Sequence, residues 1–333
     1  MRSSTSGLVG IAFLSIGCSA KAKPEVAVTD SAAVAPAPGL PPGEALLPVV
    51  DGRVWYHKVG TGPGIPVILL HGGPGYSSYY LKLFEKLGDD RVVVRYDQGG
   101  SGKSGTLTDT TKMNLPHFVA ELDSLRSHLG YDKVHILGHS WGTILAFEYY
   151  RAHPERVASL TLGSPALNMP AWERNAKRLL KTISDSGQRA VADAERSGNY
   201  ETPAYQAANG EFWSKYVMRS SPGPVQADLD SVLTQVNEAI YRYMQGPSEF
   251  TIVGSLKYYD ATQDLKRIAV PVLFTVGEFD EANPKLVRQQ AAVVSGAKVE
   301  VLKGSAHLTP WDAPDQNLAV VREFLRLVDQ ARK

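Results

Sequence analysis

Short apolar runs alternate with amphipathic segments along the chain from residue 46 onward. Runs typical of buried strands occur at Val67–Leu70, Val92–Tyr96, Val134–Leu137 and Ala158–Leu162. Leu115–Leu129 carries its apolar residues at helical spacing, and Asp51-Gly52 between two strand-like runs predicts a hairpin turn. This alternation favours an α/β fold, with a mostly parallel, doubly wound sheet and an antiparallel N-terminal edge.

The alternation stops between residues 164 and 263. Strand signals vanish there, and helical patterns with several aromatic residues replace them. Strand-like runs resume at Val270–Gly277 and Lys298–Leu302, so the stretch is interpreted as a helical insertion between core strands. We expect residues 46–163 and 264–333 to form the core. Residues 164–263 would form a cap over the carboxyl edge of the sheet, restricting access and supplying substrate contacts.

The first 45 residues have a different character from the folded domain. Residues 1–18 combine a short basic start with the apolar stretch Gly7–Gly17, which is too short to span a bilayer and has the layout of a signal peptide. This stretch ends directly before Cys18 and resembles a bacterial lipoprotein signal, which implies export, cleavage before Cys18 and lipidation of its thiol. A plain secretory signal cut elsewhere is the alternative. Residues 19–45 are rich in Ala and Pro, and this composition predicts an extended tether between membrane and enzyme.

Composition removes several classes of function. Lysine and arginine number 35 against 34 acidic residues, so the charge gives no reason to expect a nucleic-acid partner. One cysteine excludes an internal disulfide, and no His, Cys or Asp cluster has the spacing of zinc ligands. We therefore expect the protein to need neither a metal nor an organic cofactor.

The pentapeptide Gly138-His139-Ser140-Trp141-Gly142 is the strongest chemical signal. It lies between a strand-like run and a helix-like segment, which is the context of a nucleophile elbow. A side chain at either flanking position would clash in so sharp a turn, which explains the two glycines. The turn would expose the Ser140 hydroxyl at a helix N-terminus, where backbone N–H groups favour developing negative charge.

A glycine-rich loop, His71-Gly72-Gly73-Pro74-Gly75, follows an earlier buried strand. Such a loop presents backbone N–H groups without side-chain obstruction, as one half of an oxyanion hole requires. We expect the two donors to be the N–H groups of Gly73 and Trp141.

An acid and a histidine should follow the nucleophile in this fold, in that order. Asp280 lies in the loop after the run Val270–Gly277, and His307 lies in a Gly/Ser loop after Lys298–Leu302. His307 is the one histidine that follows the acid, and both residues fall at carboxyl ends of predicted strands. Asp97 precedes the nucleophile, so it has the wrong order for the acid and is interpreted as structural.

The glycine-rich loop, the segment Asp97–Ser104 and the elbow together resemble the prolyl iminopeptidase family of α/β-hydrolases, close to its tricorn-interacting aminopeptidases and amino-acid amidases. Tyr241–Phe250 and Gly277–Glu281 resemble further signatures of that family, and so does Ala306-His307-Leu308-Thr309. The resemblance covers residues 46–330. Position 139 departs from it, because the family often has glycine or another small residue before the nucleophile.

The resemblance implies a serine aminopeptidase that acts on a small peptide or an amino-acid amide, with proline as the expected N-terminal residue. It also implies that Glu249 and Glu281 bind the free α-ammonium group of the substrate. Carboxylates in a pocket of low dielectric suit that task. An apolar slot for the proline ring would come from Trp141, Phe250 and cap aromatics such as Trp213 or Tyr241.

Two other functions remain open at this point. A carboxylesterase or lactonase could use the same triad, but an esterase has no need of buried anions near the acyl group. A non-catalytic, surface-anchored binding protein is disfavoured by the complete set of catalytic residues. A dehalogenase or epoxide hydrolase would place Asp at the nucleophile, where this chain has Ser140.

Overall fold

The computed structural model describes residues 41–50, 52–220 and 225–332. Cys18 and the signal-like segment lie outside the described residues. Within these ranges eight strands form one sheet in the order β1-β2-β4-β3-β5-β6-β7-β8. The strands are β1 (Gly43–Val49), β2 (Gly52–Val59), β3 (Gly64–Leu70), β4 (Arg91–Tyr96), β5 (Val134–His139), β6 (Val157–Gly163), β7 (Val272–Gly277) and β8 (Lys298–Leu302).

Pairing in the sheet confirms the predicted fold class. β1 pairs antiparallel with β2, and β2 antiparallel with β4, whereas every pairing from β4 to β8 is parallel. The first strand begins at Gly43, and residues 43–45 pair with β2. The predicted end of the tether, at residue 45, was therefore placed three residues too late. Residues 43–45 belong to the sheet, because they continue the register of the hairpin.

The central strands are buried on both faces, as a parallel sheet between helices requires. In β3, Val67 and Leu69 pack into one hydrophobic cluster, and Ile68 and Leu70 pack into another on the opposite face. The α-helices of the described residues are α1 (Leu115–His128), α2 (Trp141–Ala152), α3 (Met169–Leu180), α4 (Asp185–Ser197), α5 (Pro203–Tyr216), α6 (Gln226–Leu233), α7 (Glu238–Met244), α8 (Pro284–Ala292), α9 (Thr309–Asp312) and α10 (Pro314–Gln330), and a 3-10 helix spans Ser78–Asp89. No helix in these ranges is both long enough and apolar enough to cross a membrane.

Five of these helices, α3 to α7, lie between β6 and β7, in the stretch where the sequence predicts an insertion. The insertion contacts the core through its backbone. His307 donates its N–H to the carbonyl of Tyr216 at 3.2 Å, and Leu308 donates to Val217 at 2.7 Å. The end of α5 is thus joined to the loop that follows β8.

The strand order reverses around β3. The chain passes from β3 to β4 on one side and then returns across β3 to β5 on the other. In open α/β sheets the crevice at such a switch point, beyond the carboxyl ends of the strands, is the usual ligand site. The loop after β3 and the turn after β5 meet at this crevice.

Candidate active site

Ser140 occupies a strained turn between β5 and α2. Its backbone has φ 56° and ψ −125°, values that a residue with a side chain rarely adopts. The turn is held by the Ser140 N–H, which donates to the carbonyl of Gly163 at 2.9 Å, and by the Thr143 hydroxyl, which donates to the Ser140 carbonyl at 2.7 Å. These bonds keep the strained backbone in place and present the hydroxyl in a pocket.

The flanking glycines are required by close backbone contacts. A Cβ atom on Gly138 would lie 2.2 Å from the carbonyl oxygen of Gly142. A Cβ atom on Gly142 would lie 2.2 Å from the carbonyl oxygen of Leu70, at the end of β3. The elbow can therefore approach β3 closely only because both positions lack a side chain.

His307 and Asp280 are paired in the loops after β8 and β7. The Nδ1 atom of His307 lies 2.9 Å from Oδ1 of Asp280, and both side chains are buried. An N–H at Nδ1 donates to this carboxylate, which leaves Nε2 as the basic nitrogen. His307 and Ser140 line the same pocket. The structure thus brings together the three residues that the sequence predicts as a triad.

Burial and neighbouring charges shift the pKa values of Asp280 and His307 in opposite directions. Burial alone would raise the pKa of Asp280, but the neighbouring His307 and hydrogen bonds, including one from the Ala282 N–H, hold it below its usual value. Burial alone would lower the pKa of His307, but the Asp280 carboxylate outweighs that effect and raises it. The pair is therefore arranged to stabilise an imidazolium while the proton is in transit.

The two residues predicted to supply the oxyanion donors lie beside Ser140. Gly73 and Trp141 line one pocket together with the nucleophile. Trp141 is the first residue of α2, so its N–H is one of the groups without a partner inside the helix. Gly73 has φ 109°, a backbone conformation that favours glycine. Both residues therefore border the position expected of a developing oxyanion.

The two glutamates of the resemblance lie beside this site. Glu281 is buried, and neither of its carboxylate oxygens has a hydrogen-bond partner among the described residues. Glu249 is half-buried, lines the pockets around Ser140 and is hydrogen-bonded to the Tyr241 hydroxyl. Burial raises the pKa of both glutamates, and the negative charges of Glu249 and Asp280 raise that of Glu281 further. An unpaired buried carboxylate at this position is a strong acceptor for a cation.

An apolar pocket extends from Ser140 between the core and the insertion. Its apolar lining comes from Trp141, Ile144, Ala166, Met169, Trp172 and Leu256. A larger neighbouring cavity of about 420 Å³ is lined by Trp213, Tyr241 and Glu249 among others. Trp141 lines the apolar pocket, in agreement with the slot prediction. Trp213 lines a second pocket with Ser140 and His307 and also borders the larger cavity, whereas Tyr241 borders the larger cavity.

Phe250 was also expected in the slot and is placed elsewhere. It is buried against Phe212, with ring centroids 5.0 Å apart, and against Tyr205 at 5.9 Å. It packs inside the insertion because apolar contacts there cover its whole ring. Trp172 and Met169 at the start of α3 take the expected position, and α3 could not be placed over Ser140 from sequence alone.

A glutamine that received no role from the sequence connects the two halves of the oxyanion hole. Gln98 accepts a hydrogen bond from the Trp141 indole N–H at 2.8 Å and donates to the carbonyl of His71 at 3.0 Å. Its own N–H donates to Nε2 of His71 at 3.0 Å. The only sequence signal was its place within Asp97–Ser104. Asp97 itself accepts hydrogen bonds from Ser78, in agreement with a structural role.

Comparison with known proteins agrees with this geometry. The profile of a family described as alpha/beta hydrolase fold matches residues 65–314. A proline iminopeptidase of Heyndrickxia coagulans is 40% identical over 286 residues, which cover 86% of this chain and 99% of that protein. A proline iminopeptidase of Saccharolobus solfataricus is 32% identical over 263 residues, 78% of this chain and 84% of that protein. The crystal structure of a Mycobacterium smegmatis proline iminopeptidase aligns with a TM-score of 0.79 at 31% identity, covering 87% of this chain and 100% of that one.

The fold and the site therefore define an α/β-hydrolase. Within that class, the chain belongs to the proline iminopeptidase family, because the similarity extends over nearly the whole length of its relatives.

Proposed function

We propose that the protein is a serine aminopeptidase that releases an N-terminal residue, with proline preferred, from small peptides or amino-acid amides. The observation that carries the proposal is Glu281, a buried carboxylate with two unpartnered oxygens directly after the acid of the triad. An enzyme that must hold an ammonium group beside its nucleophile has a use for this charge, whereas an esterase does not. Relatives named proline iminopeptidases support the same activity.

The mechanism follows from the arrangement around Ser140. Nε2 of His307 takes the Ser140 proton while the hydroxyl oxygen attacks the scissile carbonyl, and Asp280 stabilises the imidazolium. The N–H groups of Gly73 and Trp141 stabilise the tetrahedral oxyanion. His307 gives the proton to the leaving amine as the C–N bond breaks, which leaves an acyl-enzyme. The same histidine then activates water, which releases the amino acid and restores Ser140.

Substrate selection is proposed to use the two glutamates and the apolar pocket together. Glu249 and Glu281 would pair with the free ammonium group, which places the first residue of a peptide against Ser140. A proline side chain is compact and apolar, and we propose that it contacts the apolar wall formed by Ile144, Met169 and Trp172. A blocked N-terminus would leave the buried carboxylates uncompensated and should be rejected.

The first test compares substrates with and without a free amine. Prolyl and alanyl p-nitroanilides, an N-acetylated prolyl p-nitroanilide and a p-nitrophenyl acyl ester are assayed with the wild type and with Ser140→Ala. We expect cleavage of the free-amine anilides, no cleavage of the acetylated one and complete loss with Ser140→Ala. Turnover of the ester alone would instead support the alternative, a carboxylesterase or lactonase on the same fold.

The second test separates the glutamates from the triad. Glu281→Gln and Glu249→Gln should lower kcat/KM for the prolyl anilide about 10- to 100-fold, because a charge-assisted hydrogen bond is lost. Turnover of an ester without an amine should stay near wild type. Glu278→Gln changes an exposed glutamate in the same loop and serves as the matched control. Equal losses on both substrates would contradict ammonium binding.

The setting of the enzyme is proposed from the sequence alone. We propose export as a bacterial lipoprotein that faces the periplasm or the cell exterior and is anchored through Cys18. The basic start, the apolar stretch and the cysteine that follows it support this proposal. Cells fed a radioactive fatty acid should label the wild type but not Cys18→Ala. A soluble, unlabelled mature protein would show that a plain secretory signal is cut elsewhere.

A further inference from the structure

His139, the residue that departs from the family pattern, is buried between the two loops that serve Ser140. Its Nδ1 atom lies 2.9 Å from the Tyr80 hydroxyl, and its Nε2 atom lies 2.9 Å from the backbone carbonyl oxygen of His307. The Tyr80 hydroxyl also accepts a hydrogen bond from the Gly72 N–H at 2.7 Å. Three consecutive hydrogen bonds therefore connect the glycine-rich loop with the loop of the general base.

The protons in these three hydrogen bonds can be assigned from chemistry. The carbonyl of His307 can only accept, so Nε2 of His139 must carry a hydrogen. In a neutral imidazole Nδ1 is then an acceptor, and the Tyr80 hydroxyl must donate to it. The Tyr80 oxygen keeps a lone pair for the N–H of Gly72. Each of these groups therefore has a partner, and each one donates to the next in the order from Gly72 to His307.

The surroundings keep His139 in this neutral form. Burial lowers the pKa of His139 to about 3, and the neighbouring His307 lowers it as well. The rings of His139 and His307 are packed with centroids 4.9 Å apart, and the Tyr80 ring lies 5.2 Å from His139 on another side. The side chains of this hydrogen-bonded series are therefore also tightly packed, so the distance between Gly72 and His307 resists change.

We propose that Tyr80 and His139 act as one positioning unit that fixes the oxyanion loop relative to His307. The inference rests on the proposed acyl-transfer function, because it concerns the spacing of the same reacting groups. Both side chains also line the pocket that contains the nucleophile, so the test includes KM, which the loss of a direct substrate contact would raise. Gly72 precedes the donor Gly73, so a shift of the glycine-rich loop displaces one half of the oxyanion hole. A displacement of about 1 Å costs on the order of 100-fold in rate.

The two ends of the unit differ in their other hydrogen-bond partners, and this difference predicts how each substitution should act. At the His307 end, the Ser164 hydroxyl also donates to the same carbonyl at 3.0 Å. At the Gly72 end, the Tyr80 hydroxyl is the partner that the structure gives the N–H. Loss of the tyrosine hydroxyl should therefore affect the oxyanion loop directly, and loss of the histidine should act through the tyrosine.

The experiment is a double-mutant cycle of Tyr80→Phe and His139→Leu in the full-length protein. Each single change should lower kcat about 10- to 100-fold and leave KM within about threefold, because spacing and not binding is altered. The double variant should be no slower than the slower single one, since both changes break the same connection. Losses that multiply in the double variant would overturn the proposal.

Two further variants separate positioning from stability. Tyr149→Phe removes a hydroxyl bonded to Asp123 and Arg126 at 2.9 Å, remote from Ser140, and should lower Tm without lowering kcat. His139→Gln retains an amide donor for the His307 carbonyl and should recover part of the rate lost in His139→Leu. Recovery of Tm without recovery of rate would also overturn the proposal. If His139→Leu does not fold, His139→Gln takes its place in the cycle.

The rates are expressed per active site titrated with a fluorophosphonate that reacts with Ser140. The substrate is whichever p-nitrophenyl ester or p-nitroanilide the wild type hydrolyses. Failure of the aminopeptidase proposal would appear as a lack of turnover of free-amine anilides by the wild type. Failure of the positioning proposal would appear in the cycle on any acyl substrate, so the two results are distinguishable.

Discussion

Asp280 and Glu281 are adjacent buried carboxylates whose pKa values are shifted in opposite directions. Asp280 has an imidazole and backbone N–H groups as partners, and its pKa lies below the usual value. Glu281 has no partner for either oxygen among the described residues, and its pKa lies well above the usual value. The partner of each group, and not its depth, sets the direction of its pKa shift. One residue thus serves the base while its neighbour is available for a cation.

The pH dependence of the reaction follows from His307. Asp280 raises the pKa of His307 above its usual 6.5. As the pH is lowered, His307 therefore becomes protonated before the pH reaches 6.5. We expect kcat/KM on an amine-free ester to fall as pH drops through this pKa, since a protonated imidazole cannot accept the Ser140 proton. In Asp280→Asn the midpoint should move to lower pH, with a rate about 10⁴-fold lower. An unchanged midpoint would contradict the electrostatic role of Asp280.

At the scale of elements, a single carboxylate joins the insertion to the loop of the base. Asp312, in α9, accepts hydrogen bonds from the backbone N–H groups of Arg219 and Ser220 at 3.0 and 2.7 Å. Its other oxygen accepts from the N–H of Ala306 at 2.8 Å. Together with the backbone bonds at His307, this contact keeps the end of α5 and the base loop in one arrangement.

Asp312→Asn should lower kcat about tenfold, because one acceptor oxygen becomes an NH₂ group facing a backbone donor and the base loop is displaced. Hydrogen exchange of the amides at Arg219, Ser220 and Ala306 should accelerate in the same variant. Asp315→Asn, an exposed carboxylate at the start of α10, is the control and should change neither quantity. A normal rate with accelerated exchange would show that the contact supports the fold but not the reaction.

Local signals in the sequence predicted much of the site. The elbow could be predicted because Gly138 and Gly142 are required by contacts within one turn, and the acid and base because each directly follows a strand. Glu249 and Glu281 were proposed through the family resemblance alone. Tyr80 gave no signal, since its role depends on a hydroxyl meeting His139, 59 residues further along the chain. Contacts of this kind follow from tertiary packing, which periodicity does not encode.

At the scale of the whole molecule, a separate polar network lies at the amino ends of the central strands, away from Ser140. Asp329 in α10 bonds Arg91 at the start of β4 at 2.9 Å and His135 in β5 at 3.0 Å. Ser159 in β6 lies 2.7 Å from the other nitrogen of His135. The network joins the C-terminal helix to three strands at the end of the sheet remote from Ser140. Its residues therefore affect stability while the catalytic residues set the rate.

Acid should weaken the fold through this network. Burial lowers the pKa of His135, so below its usual value of 6.5 the unfolded chain takes up a proton that the folded protein excludes. Stability then falls as pH falls. His135→Gln should have a lower Tm near pH 7 but a shallower decline as the pH falls below about 6.5. Thermal unfolding across that range tests this, with the exposed His128→Gln as control. Parallel declines would contradict the assignment.

The carboxylates around Ser140 also have a consequence for the end of each turnover. Hydrolysis converts the neutral carbonyl of the substrate into a carboxylate, formed beside Asp280, Glu249 and Glu281. Under the proposed role of Glu249 and Glu281, the negative field that attracts an incoming amino terminus repels this new anion at short range. The site would therefore attract the ammonium group of the free amino acid and repel its carboxylate, and this repulsion would favour release of the product.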